Sequence, residues 1–152
     1  QWSEWNCNKS LDWDTLNAPA HAGIQTLVKD LNHLYRQEPA LWQEDGNHDF
    51  FQWIDFSDHE QSVISFVRWD SEKREPILVV ANFTPVLRHD YRIGVPKAGV
   101  WQCIFNSDSS VYDGSNCPTS DLQTEQEEAH GLEQSIKLSL PPLGVSYFKL
   151  KE

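Results

Sequence analysis

The sequence predicts a mainly β protein, an antiparallel β-sandwich preceded by one amphipathic helix. Three observations predict it. From Phe50 onward, apolar and polar residues alternate with a period of two, as in strands that bury one face and wet the other. Turn-forming clusters such as Asp70–Pro76 and Pro96–Gly99 break that alternation at short intervals, which bounds strands of the length antiparallel sheets use. Before Phe50 the apolar residues fall at helical spacing instead. A chain of 152 residues, 39% of them hydrophobic, is long enough for one real core and too short for two independent domains.

The helix is expected from about Pro19 to Arg36. Ile24, Leu27, Val28, Leu31, Leu34 and Tyr35 make a single stripe along it, because residues three and four apart share a helix face. Asn17 is the expected N-cap, with Pro19 in the first turn and Arg36 at the negative end of the dipole. Pro39 forces Glu38 out of helical geometry and closes the helix. Its apolar stripe needs a partner, either the sheet or protein that this sequence does not contain.

Strands follow near Phe50–Phe56, Ser62–Trp69, Ile77–Phe83, Tyr91–Val95, Val100–Phe105, Ile136–Leu140 and Val145–Leu150. Ile136, Leu138 and Leu140 alternate with Lys137 and Ser139, so that strand keeps one face in water. Ile77-Leu78-Val79-Val80-Ala81 is apolar without a break, which places it mid-sheet with both faces covered. Asp70–Pro76 and Pro96–Gly99 read as hairpin connections. Seven such strands make two packed sheets the expected architecture. The stretch 106–134 carries seven acidic residues and no Lys or Arg; it is either an excursion with a function or a flexible insertion, and composition favours a solvated surface loop, partly disordered.

The formal net charge is −11, from 23 acidic and 12 basic residues. Such a surface repels phosphate backbones and anionic headgroups, so no nucleic acid and no membrane partner is expected. Cys7, Cys103 and Cys117 are odd in number and form no C-x-x-C pair, which suggests neither a disulfide framework nor a zinc site and fits a cytoplasmic location. No apolar run approaches the ~20 residues of a spanning helix.

Chemistry-bearing patterns are sparse. The six histidines show no H-E-x-x-H or comparable spacing, and no G-x-S-x-G, G-x-G-x-x-G or phosphate loop occurs. Asp55-Phe56-Ser57-Asp58-His59-Glu60 is the densest set of potential ligands, but it lies where one strand must turn into the next and reads as a turn that caps its own backbone. No catalytic residue, cofactor or metal is expected in this chain. Seven tryptophans are the better lead, since indole offers sugar rings an amphipathic stacking surface. Trp53, Trp69 and Trp101 lie in strand patterns and read as core or interdomain packing residues, and Trp42 reads as an anchor at the domain junction. Trp2, Trp5 and Trp13 stand in irregular backbone, where binding residues tend to be placed, and read as either sugar contacts or packing residues.

Several blocks then resemble one family in the right order: Trp5-Asn6, Ser10-Leu11-Asp12-Trp13, Leu31-Asn32-His33-Leu34-Tyr35-Arg36, Ser62-Val63-Ile64-Ser65-Phe66, Asn82-Phe83-Thr84-Pro85 through Pro96, and Leu138-Ser139-Leu140-Pro141-Pro142-Leu143. They resemble the C-terminal part of the bacterial 1,4-α-glucan (glycogen) branching enzymes of the α-amylase superfamily. Those enzymes cleave an α-1,4 linkage through a covalent glucosyl-enzyme intermediate and transfer the segment to a 6-hydroxyl. The resemblance implies that residues 1–42 are the last loop and helix of a (β/α)8 catalytic barrel and residues 43–152 an α-amylase-type C-terminal sandwich. It implies that the catalytic carboxylates lie upstream and that the barrel is the partner in cis. It also places Trp5, Asp12 and Trp13 as substrate-binding residues near the glucan groove, with α-glucan as the partner. Two other classes fit the residues alone, a stand-alone carbohydrate-binding module and a structural sandwich without ligand.

Overall fold

A computed structural model describes residues 4–151; Trp2, one of the tryptophans in irregular backbone, lies outside them. A 3₁₀ turn over Trp13–Asn17 leads into helix α1, Pro19–Gln37. A second 3₁₀ turn, Pro39–Leu41, carries the chain to the sheets. Eight strands follow: β1 Phe51–Asp58, β2 Val63–Arg68, β3 Ile77–Asn82, β4 Arg88–Val95, β5 Val100–Asn106, β6 Leu122–Gln123, β7 Gln134–Leu140 and β8 Val145–Leu150.

The sandwich is unequal. A six-stranded sheet in the order β1-β2-β3-β8-β5-β6 faces a two-stranded sheet of β4 and β7, with every pairing antiparallel. Ile54, Val67, Leu78, Val80, Trp101 and Phe148 from the large sheet interlock with Ile93, Val95, Ile136, Leu138 and Leu140 from the small one. Each of these large side chains contributes about 1.5–3 kcal/mol by leaving water. The strict alternation in β7, with Lys137 exposed between buried Ile136 and Leu138, follows directly from this one-sided burial.

The outer face of the large sheet has its own apolar layer. Cross-strand register sets Trp53, Phe66, Val79 and Tyr147 in one row, and Phe51, Arg68, Ile77 and Lys149 in the next. Ile77 and Val79 are buried there under Ala40 and Leu41. The unbroken apolar run of β3 is therefore covered on both faces, but by the Pro39–Leu41 turn and not by the helix itself.

Other expectations need correction. Asn17 does not cap α1: it ends the preceding 3₁₀ turn, and Ala18 is the N-cap with no side-chain bond. The Ala18 N–H is taken by the Thr15 carbonyl, so the turn fixes the entry that a capping side chain would otherwise fix. Pro96–Gly99 is not a hairpin; it carries the chain from β4 in the small sheet to β5 in the large one. Of the two packing roles expected for Trp53, core and interdomain, the core one does not hold: it is 48% exposed on the outer face.

The acidic stretch 106–134 is built, not loose. Asp108 accepts hydrogen bonds from the Ser115 and Cys117 backbone N–H groups and from the Ser115 hydroxyl. Asn106 Oδ1 accepts from the Asp108 N–H. Burial alone would raise the Asp108 carboxyl, but the Cys117 and Ser115 donors outweigh it and hold the group below its ordinary value. Further on, β6 joins β5, and Glu125 exchanges backbone bonds with Ser135 beside β7. Composition missed this order because side chains bonding to their own backbone supply it.

That stretch also seats α1. A Cβ on Gly23 would stand 2.5 Å from the Tyr112 carbonyl oxygen, so the helix backbone rides directly on the 3₁₀ turn Ser110–Tyr112. The Tyr112 hydroxyl donates to Asp30 at 2.9 Å, and burial together with this bond pushes the phenol up to about 12. At the other end Lys149 bridges Glu38 and Glu75 at 2.8 and 2.9 Å. Burial works against that ammonium, yet its two carboxylate partners raise it above its usual value. No described helix is long and apolar enough to cross a membrane.

Candidate functional site

Of the three expected substrate-binding residues, the structure brings two together. Trp5 and Asp12 line one concavity of about 280 Å³ with Asn6, Lys9 and Ser10. Its wall is shaped locally: Asn6 accepts from the Asn8 N–H through its side chain and from the Lys9 N–H through its carbonyl. Asp12 uses its backbone carbonyl to receive both the Thr15 N–H and hydroxyl, which leaves its carboxylate open. Trp13 lies outside this concavity, at the head of the 3₁₀ turn. Trp5 is 83% and Trp13 60% exposed, so both indoles are open to a flat ligand.

A second surface was not legible as a site. Between α1 and the outer face of the large sheet runs a crevice of about 370 Å³. Phe66, Val79 and Tyr147 form its floor, Leu31, Asn32 and Tyr35 the helix wall, and Asp45 and Arg68 its rim. Arg68 Nη2 donates to Asp45 Oδ1 at 2.8 Å. The Phe66 ring stacks on Phe51 at 5.1 Å and meets Trp53 edge-on at 5.7 Å. Burial pushes the Tyr147 phenol up. The aromatics sit together because residues in register across neighbouring strands share a face. In the sequence Phe51, Trp53, Phe66 and Tyr147 are scattered over three strands, and only the strand register joins them.

The dense set Asp55–Glu60 behaves as a turn. Asp55 accepts from the Ser57 N–H and hydroxyl, and Asp58 from the Gln61 N–H and the Tyr91 hydroxyl. Among the described residues no group of three His, Cys, Asp or Glu side chains is placed to hold a metal ion. Among the described residues neither concavity pairs a nucleophile with a base; both offer rings, amides, hydroxyls and charged hydrogen-bonding groups, which suits binding.

Residues 53–151 match the family described as "Alpha amylase, C-terminal all-beta domain". The chain belongs to that family. It is also similar to three curated 1,4-alpha-glucan branching enzymes. That of Aquifex aeolicus is 50% identical over 98% of this chain, that of Cellvibrio japonicus 50% over 99% of it, and that of Pseudomonas syringae pv. syringae 46% over 100% of it. The alignments cover 24%, 20% and 20% of those relatives, so the chain spans about a fifth to a quarter of their length. Among solved structures, a mutant of the trehalulose synthase MutB superposes with a TM-score of 0.55 at 21% identity. It covers 99% of this chain and 22% of that one, and it shares the fold.

Proposed function

We propose that this chain is the C-terminal region of a bacterial 1,4-α-glucan branching enzyme. Identity near 50% across almost the full chain with the Aquifex aeolicus and Cellvibrio japonicus branching enzymes carries the reading. On it, residues 1–42 complete a catalytic barrel and residues 43–152 form the sandwich that supports it. The barrel is the partner in cis, the polymer handled is α-glucan, and the setting is the cytoplasm. Retaining transfer needs a carboxylate nucleophile and an acid/base partner close together, and upstream protein supplies them. The exposed strip of α1, with Ile24 and Val28 both open, supports docking against such protein.

The experiment is a graft. The 152 residues replace the matching C-terminal region of the Aquifex aeolicus branching enzyme, and α-1,6 linkages formed on amylose are counted. Branching by the hybrid, with no loss of long iodine-staining chains when the 152-residue chain acts alone, is the expected pair of results. A folded hybrid that forms no branches, or turnover by the chain alone, overturns the reading. Trp5, Asp12 and Trp13 are placed at the glucan groove. Trp13→Ala in the hybrid then lowers the branching rate about tenfold, the cost of one lost stacking contact of ~1.4 kcal/mol. An unchanged rate and unchanged product chain length remove Trp13 from the groove.

A further inference from the structure

The crevice between α1 and the large sheet is lined by Arg68, whose bonding is incomplete among the described residues. Arg68 is held on the outer face of β2 with its side chain only 17% exposed. One of its nitrogens is paired with Asp45, yet its Nε is fully buried and has no partner among the described residues. A buried guanidinium N–H without an acceptor costs free energy, and such an orphan in a native fold calls for an explanation. The rest of the Arg68 side chain lines a concavity with Phe66 and Tyr147 on one side and Tyr35 and Asn32 on the other.

We propose that this crevice is a saccharide-binding site, separate from the Trp5–Trp13 segment, in which Arg68 and Asp45 hold the hydroxyls of a neutral sugar ring packed between Tyr35 and Phe66. Three features select that ligand class. The guanidinium offers donors and Asp45, 61% exposed, offers acceptors, so adjacent hydroxyls of one ring find one of each. The pair is neutral as a unit on a chain of net charge −11, which gives an anionic ligand no attraction. The aromatic rings supply the apolar faces that the C–H side of a pyranose needs. The volume lies at the low end of ligand pockets, roughly 300–1,000 Å³, and the position between a helix and the domain it docks against is a common one for such pockets. That the saccharide is an α-1,4-glucan rests on the proposed function; that the crevice takes a neutral sugar does not.

Two-dimensional ¹H–¹⁵N NMR of the 152-residue chain tests this, because the Arg68 Nε–H gives its own signal. Titration with maltoheptaose is expected to move that signal and the Phe66 and Tyr147 amides saturably. Tyr35→Ala and Arg68→Lys should each weaken the binding at least tenfold, followed at the Tyr147 amide. Should Arg68→Lys unfold the chain, Tyr35→Ala decides, since Tyr35 is half-exposed and its loss leaves the fold intact. An Arg68 signal that stays still at millimolar saccharide overturns the proposal. Shifts confined to residues 4–16 also overturn it while leaving the glucan reading intact, whereas saturable shifts at the crevice beside a graft that forms no branches uphold the site and remove that reading.

Discussion

The carboxylate of Asp108 organises the ten-residue segment 108–117, and its contribution has a definite pH dependence. Its folded value is lowered from the ordinary 3.8 by donors that outweigh burial. A group lowered on folding contributes stability that is fully present above its unfolded value and is lost as pH falls through the folded one. Acidification below 3.8 should therefore release the Ser115 and Cys117 amides, which bond to this carboxylate. Hydrogen exchange followed at those two amides checks it. Asp108→Asn should abolish the acid step there and cost about 1–2 kcal/mol in urea denaturation at neutral pH. Asp70 accepts from the Arg74 and Glu75 N–H groups and is lowered in the same direction, so the global acid transition survives in the variant and only the local one disappears.

At the scale of elements, the docking of α1 depends on the missing side chain at Gly23. An added Cβ would meet the Tyr112 backbone at 2.5 and 2.7 Å, and backbone cannot rotate aside as a side chain can. Gly23→Ala raises intrinsic helix propensity by up to ~1 kcal/mol, yet the clash forces helix and turn apart. We expect a net loss of about 1–3 kcal/mol, together with loss of the Tyr112–Asp30 hydrogen bond, read as a fall of the Tyr112 phenol toward 10 in an ultraviolet titration. A variant as stable as the parent, with Tyr112 unmoved, would show that the helix does not ride on this turn.

Those same elements show what the sequence carried. The bounds of α1 were legible because Pro19, Pro39 and the 3.6-residue stripe act locally, and the strands because alternation survives wherever one face is buried. Order in 106–134 was not legible, since it comes from Asn106 and Asp108 bonding back to the chain and from contact with a helix some eighty residues earlier. Trp53 shows the reverse limit. A strand pattern predicts that alternate residues share a face, but not that this face, the outer one of the large sheet, stays partly open. The candidate segment Trp5–Trp13 was chosen from its residue types and its irregular backbone, whereas the crevice at Arg68 needed the register of β2, β3 and β8 to assemble it.

For the molecule as a whole, the decisive asymmetry is that α1 spends only part of its apolar surface. Gly23 and Asp30 face the Ser110–Tyr112 turn and Leu31 the crevice, while Ile24 and Val28 are 60% and 50% exposed on the adjoining strip. Within this chain those two side chains touch water, so Ile24→Glu with Val28→Gln should leave its stability within ~0.5 kcal/mol, the usual range for surface positions. In the grafted branching enzyme the same pair should be costly, because a carboxylate pressed into an apolar interface must be desolvated without a partner. The expected result is a hybrid that unfolds several degrees lower or loses branching, against an unchanged denaturation midpoint for the 152-residue chain. If both proteins tolerate the double substitution equally, the strip is ordinary surface and the helix has no further partner. If the short chain alone is destabilised, the strip packs within the fold, and the assignment of α1 as the edge of a larger structure fails.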